Sequence, residues 1–203
     1  MTRTAQGAAK APRPPARERI LSTATTLFSE YGIRGVGIDR IIAESGVAKA
    51  TLYTHFKSKD ALALAFLAGV DVAWREMLTD AAAAAGDDPA DQLVGLFDAI
   101  DAASENGRFR GCPFLNTASE SAPGSPAHRA TVEHKRAVRA WTGGLAEAAG
   151  VREPALLARQ LTVLLDGAMA AAALEPTDDV LPAVRQAARH LVEAARPSSA
   201  SGD

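Results

Sequence analysis

Apolar residues recur every three or four positions along almost the whole chain, and no segment alternates as a half-buried strand would. The first such period runs from Ala16 to Tyr31 and puts Ile20, Ala24, Leu27, Phe28 and Tyr31 on one face. Gly32 stops it, and Gly35 and Gly37 supply a loop. Two short periods follow, one carrying Ile38, Ile41 and Ile42 and the other Leu52 and Phe56, with Ser45-Gly46-Val47 between them. Gly46 sits at the sharp turn, where a residue without Cβ accepts positive φ at least cost, and Val47 then points inward. Ser58 is a good N-cap for a longer helix reaching Ala85, although Ala61 stands where a capping box would have Glu or Gln.

Beyond Gly86-Asp87-Asp88-Pro89 the helical period continues over Asp91–Ala103 until Asn106-Gly107, and Arg108–Cys112 forms a connector. Pro113–Glu120 is a short helix opened by proline, and Ser121–Ser125 is a loop. Pro126–Ala149 is a long helix weakened by Gly143-Gly144 and ended by Gly150. Pro154–Leu174 is strongly apolar, and Asp178–Ala195 completes the series with Pro182 in its early turns. The expected fold is all-α, with roughly nine helices. Residues 1–15 read as a disordered basic tail, 16–62 as a three-helix helix-turn-helix unit, 63–196 as a second helical domain and 197–203 as a frayed end.

The net charge of −2 argues against a polyanionic partner until its distribution is considered. Residues 1–60 hold 10 Lys/Arg against 5 Asp/Glu, whereas the remainder holds 12 against 19. A basic end on an acidic body suits phosphates at one place only. Arg3, Lys10 and Arg13 could add backbone or minor-groove contacts. The single cysteine, Cys112, excludes an intramolecular disulfide and a cysteine-based zinc cage, so a reducing cytoplasm is the natural compartment. No run approaches the ~20 uncharged apolar residues of a membrane span, and the opening residues lack the apolar core of a secretory signal. No membrane partner is therefore expected. Gly-rich phosphate loops, GxSxG and HExxH are missing, and His128 and His134 are spaced poorly for a metal. No cofactor, metal or catalytic residue is expected.

The second short helix turns Lys49, Thr51, Tyr53, Thr54 and His55 outward, donors of the kinds that hold phosphates and read base edges. The strings ARERILSTATTLFSEYG (Ala16–Gly32) and DRIIAESGVAKATLYTHFKSKDAL (Asp39–Leu62) closely resemble the DNA-binding domain of the tetracycline-repressor-like (TetR) family of bacterial transcription regulators. The Gly-Val, Thr-Leu-Tyr, His-Phe and Ser-Lys elements fall at that family's spacing. A GCPFLN element (Gly111–Asn116) resembles one section of the family.

The resemblance implies a homodimer on a near-palindromic double-stranded operator, released by a small-molecule effector held in the second domain. It makes Lys49 and Lys59 phosphate contacts and Tyr53 and His55 a backbone-contacting pair. Thr51 and Thr54 would reach phosphate or base, Ala50 or Thr51 a thymine methyl, and Arg40 a guanine. Gly37 stands where relatives often carry a hydroxyl, leaving a backbone N–H for phosphate, and Ala48 replaces a frequent Ser or Thr.

In the second domain the resemblance points to a dimer interface of Leu161, Leu164, Ala168 and Ala172 with Val184, Ala188 and Leu191. An ordinary buried core helix would show the same pattern. Asp166, set in that apolar run, must be paired or face a pocket. An effector pocket would draw on Trp74, Phe97, Ile100, Cys112, Phe114, Trp141, Leu165 and Met169, residues that plain core would also explain. Cys112, at a helix start near Arg108 and Arg110, raises the alternative of an electrophile or redox sensor, against which Pro113-Phe114-Leu115 suggests packing. A regulator without small-molecule control, an activator, a helical enzyme and a structural adaptor are the other readings weighed.

Overall fold

The computed structural model describes residues 13–105 and 109–197. Arg3, Lys10, Asn106-Gly107, Arg108 and residues 198–203, which figure in the expectations above, lie outside the described residues. The described part is helix and loop without a strand. It comprises α1 (Ala16–Gly35), α2 (Ile38–Ser45), α3 (Lys49–His55), α4 (Lys59–Ala84), α5 (Pro89–Gly95), α6 (Ala99–Ser104), α7 (Pro113–Glu120), α8 (Pro126–Ala148), α9 (Pro154–Ala172) and α10 (Thr177–Ala195). A 3₁₀ turn, Leu96–Asp98, joins α5 to α6 without a loop, so residues 89–104 act as the single helical segment expected and nine segments result. Gly95 immediately precedes this turn. A Cβ on it would stand 2.4 Å from the Cβ of Ala85, so only glycine lets α5 lie this close to the end of α4.

α1 is helical to Tyr31 and broken at Gly32, whose φ of 74° and ψ of 162° no helix contains; one further turn carries it to Gly35. Ile20, Ala24, Leu27 and Phe28 of α1 meet Val36, Ile41, Leu52 and Phe56 in the core of the small domain. The core continues along α4 through Leu62, Phe66 and Leu67, with Phe28 and Phe66 edge to face at 5.6 Å between centroids. One uninterrupted helix thus carries a single core from the helix-turn-helix into the rest of the fold.

In the body, α8 packs on α9 and α9 on α10. The buried side chains there are Leu157, Leu161 and Leu165 of α9, Val184, Ala188 and Val192 of α10, and Leu93, Phe97 and Ile100 of the 89–104 segment. A Cβ built on Gly143 would lie 3.8 Å from the Cβ of Ala158, an ordinary packing contact between α8 and α9. Asp166 is paired as required, with Lys135 of α8. Arg185 of α10 bonds Asp98 at 2.6 Å.

Five of the seven residues expected at the subunit interface need correction. Leu161, Ala168, Ala172, Val184 and Ala188 are buried inside a single chain, and Leu164 and Leu191 are half-buried against the same core. Their small size serves α8–α9–α10 packing within the subunit. The apolar groups that α9 leaves exposed are Leu156 and Val163, the latter 66% accessible, with Gly167 and Ala170 beside them and Leu174 just past the helix end. Contrary to the expectation that no run is long and apolar enough, α9 could cross a membrane by length and composition alone. Its larger buried residues are core residues of this fold.

Candidate nucleic-acid interface and internal cavity

The helix-turn-helix forms for local reasons that the sequence displays. Ser45 closes α2 by donating its hydroxyl to the Ile42 carbonyl at 3.3 Å, and Gly46 turns the chain at φ 63°, ψ 39°. Arg13 donates to the Gly46 carbonyl at 3.4 Å, bracing the turn from the start of the chain. Leu52, fully buried, anchors α3, and Phe56 follows it beneath the Arg17 guanidinium at 5.3 Å. Ser58 caps α4 by accepting the Ala61 N–H at 3.1 Å. Neither Gly37 nor Ala48 caps its helix with a side chain, so the first N–H groups of α2 and α3 are left to solvent or an anion.

With Leu52 turned in, α3 exposes Lys49, Ala50, Tyr53, Thr54 and His55 together, whereas Thr51 is half-buried. Thr54 Oγ1 bonds the Ala50 carbonyl at 2.9 Å. Lys49 lies 3.5 Å from Asp39, both well exposed, a contact that holds it loosely. Arg40 is more firmly engaged. It bonds Glu44 at 2.7 Å and lies 4.2 Å over the Tyr31 ring. The hydrogen bond to Glu44, then that to Tyr31, raises its pKa above the ordinary guanidinium value. A guanine contact would require Arg40 to leave both partners. Lys59 belongs to the first turn of α4, is half-buried, and borders a small recess of about 230 Å³. Lys57, exposed between α3 and α4, was missed in the sequence reading because it lies outside any helical period.

A cavity of about 870 Å³ lies where α1 meets α4, α7 and α9. Trp74, Cys112, Phe114 and Met169 line it as expected. Phe97, Ile100 and Leu165 do not. They are fully or almost fully buried in solid core, and Trp141 packs half-buried away from the cavity. The sequence reading missed Phe28, Phe66, Phe109, Thr117, His134 and Glu120, which also form the wall.

His134 is the polar group of note. Its side chain is 3% exposed, its Nδ1 lies 2.6 Å from Asp71 Oδ1, and its ring stacks on Phe114 at 3.7 Å and 4°. Burial, the largest cause, holds its pKa below the usual imidazole value of 6.5, helped by Lys135 and Arg75 and opposed by Asp71. The imidazole is therefore neutral at pH 7, with Nδ1–H donating to the carboxylate. On acidification the unfolded chain takes up this proton first. Stability should thus fall as pH drops through 6.5 and level off below the folded pKa. Melting temperatures at pH 7.5 and 5.5 should differ less in His134→Gln than in the parent; equal losses would contradict this linkage.

Around the cavity mouth α7 grips the end of α1. Glu120 Oε2 accepts the Arg34 N–H at 2.8 Å, and Arg110 donates to the Glu30 carbonyl. A Cβ at Gly32 would meet Glu120 Oε1 at 2.4 Å, so the carboxylate occupies space that only glycine leaves open.

The comparisons with known proteins agree with this architecture. Residues 20–66 match the family model described as bacterial regulatory proteins, tetR family. LmrA, a helix-turn-helix transcriptional regulator of Bacillus subtilis, is 51% identical over 49 residues, 24% of this chain but only 26% of LmrA. A TetR-family transcriptional regulator from Streptomyces coelicolor superposes with a TM-score of 0.83 at 36% identity, over 90% of this chain and 96% of that one. A structure from Streptomyces avermitilis gives 0.74 at 29%, over 90% and 98%. The chain belongs to the tetR family of bacterial transcription regulators, DNA-binding helix-turn-helix proteins rather than enzymes.

Proposed function

We propose that this regulator is a homodimeric repressor that leaves a near-palindromic operator when a small molecule occupies the cavity at the domain join. The observation that carries the reading is the cavity's position. Its wall includes Gly32 and Glu120, the groups through which α7 holds the end of α1, and α1 packs on α2 and α3. A ligand that shifts α7 acts on the support of the recognition helix. Ligand and DNA then prefer different arrangements, and the coupling is reciprocal. The regulator would work in the cytoplasm, where the operator is.

On DNA, α3 would lie in the major groove with Lys49, Tyr53 and His55 against phosphates and Ala50, Thr51 and Thr54 toward bases. Lys57 and Lys59 would flank it, Gly37 would offer its backbone, and Arg40 would serve only if released from Glu44. Two copies joined through the exposed face of α9 would present two recognition helices. Each phosphate contact is then made twice. Lys49→Ala should therefore reduce the salt slope of operator binding by about 2 units, at ~0.9 per phosphate contact. Fluorescence anisotropy on duplex DNA from 50 to 200 mM salt reads this, and an unchanged slope removes Lys49 from the phosphate contacts.

Cys112 lies buried in the cavity wall. Cys112→Ser should bind operator and respond to ligand as the parent does. Loss of peroxide-triggered release in that variant, with release present in the parent, would favour the electrophile-sensor reading instead.

A further inference from the structure

Among the described residues, His134 is the one nitrogen-bearing ionisable side chain in the cavity wall that is almost wholly buried, and its environment fixes what it can recognise. The ring cannot turn freely, because Phe114 covers one face and Asp71 holds Nδ1. Asp71 is itself tied to Arg75 of the same helix, which fixes the position of its carboxylate against the ring. With the proton on Nδ1, Nε2 carries a lone pair, and no partner for it exists among the described residues. It is an acceptor on a wall that also carries Phe66, Trp74, Phe114 and Met77, and the other nine-tenths-buried ionisable group of that wall is the Cys112 thiol.

We propose that the cavity's ligand is a flat aromatic molecule bearing a hydroxyl group, whose O–H donates to Nε2 of His134 while its ring lies among the aromatic walls. The inference rests on the effector-cavity reading above and adds the chemical class. Anionic ligands are disfavoured at this point. An acceptor lone pair faces them, with the Asp71 carboxylate behind it and Glu30 and Glu120 elsewhere in the wall, whose guanidinium, Arg110, is exposed and already donates to the Glu30 carbonyl. A purely hydrocarbon ligand would fill the space and leave a buried acceptor dry and unpaired, which is unfavourable. A neutral phenol satisfies that acceptor without bringing a charge into the cavity.

The test compares 2-naphthol, 2-methoxynaphthalene and naphthalene by isothermal titration calorimetry on the full chain, with operator release followed in parallel. The parent should bind 2-naphthol about tenfold more tightly than either comparison compound. In His134→Phe, which keeps an aromatic ring against Phe114 but has no acceptor, the three should converge to within threefold. The comparison on the parent stands whether or not that variant folds. Equal affinity for all three in the parent, with operator release, overturns the hydroxyl class and leaves the effector-cavity reading intact. A naphthol preference that survives in His134→Phe overturns the assignment to Nε2. Binding of none of them, with the operator retained, counts against the class and the cavity reading together.

Discussion

Leu52→Ala is expected to abolish operator binding and to lower the melting temperature. Leu52 is fully buried and is the main apolar anchor of α3 beneath α1 and α2. A seven-residue helix has too few internal hydrogen bonds to persist on its own, so its position depends on this side chain. Truncating a buried leucine costs about 2–5 kcal/mol, a large share of the ~5–15 kcal/mol that holds a domain together. The exposed Tyr53→Ala on the same helix should weaken DNA binding without changing the melting temperature. Circular dichroism melts beside operator anisotropy separate the two. An unshifted melt in Leu52→Ala would mean that α3 is not held by this core.

The second large effect separates subunit core from subunit interface. Ala168 is 3% exposed within one chain, whereas Val163 on the same helix is 66% exposed. An aspartate at Ala168 would be a buried charge without a partner, costing about 3–5 kcal/mol. Ala168→Asp should therefore yield unfolded or aggregated chain. Val163→Asp should keep the helical signal and the melting transition but halve the mass seen by sedimentation. A folded, monomeric Ala168→Asp would restore the interface to the buried face.

These two variants also mark what the sequence could and could not convey. The helix-turn-helix was legible because its determinants are local. Gly46 fixes the turn, Leu52 and Phe56 are four residues apart, and Ser58 caps the helix that follows. The direction of α9 was not. Leu161 and Ala168 have the spacing of any buried stripe, and one stripe looks alike whether its cover comes from α8 and α10 or from a second copy. The cavity was half legible for a related reason. Trp74 and Phe114 stand out as large side chains, but so does Phe97, and periodicity does not tell a filled core from a hollow one. Phe28 had already been given to the core of the small domain, which it also serves. His134 gave no signal at all. Its partner Asp71 lies 63 residues away, and only the packing of α8 on α4 brings them together.

Gly32 illustrates the remaining gap. Sequence reading identifies it as a helix stop, and the break at φ 74° agrees. That the vacated space would be filled by Glu120 of α7, and so tie the small domain to the cavity wall, depends on tertiary packing alone.

The central claim is that occupancy of this cavity and occupancy of DNA oppose each other. The most direct measurement is operator affinity at zero and at saturating ligand, with saturation established independently by calorimetry. The expected result is at least tenfold weaker operator binding with the cavity full, a coupling of about 1.4 kcal/mol, and an equal weakening of ligand binding when operator is present. The same operator affinity at both ends of the titration would contradict the account.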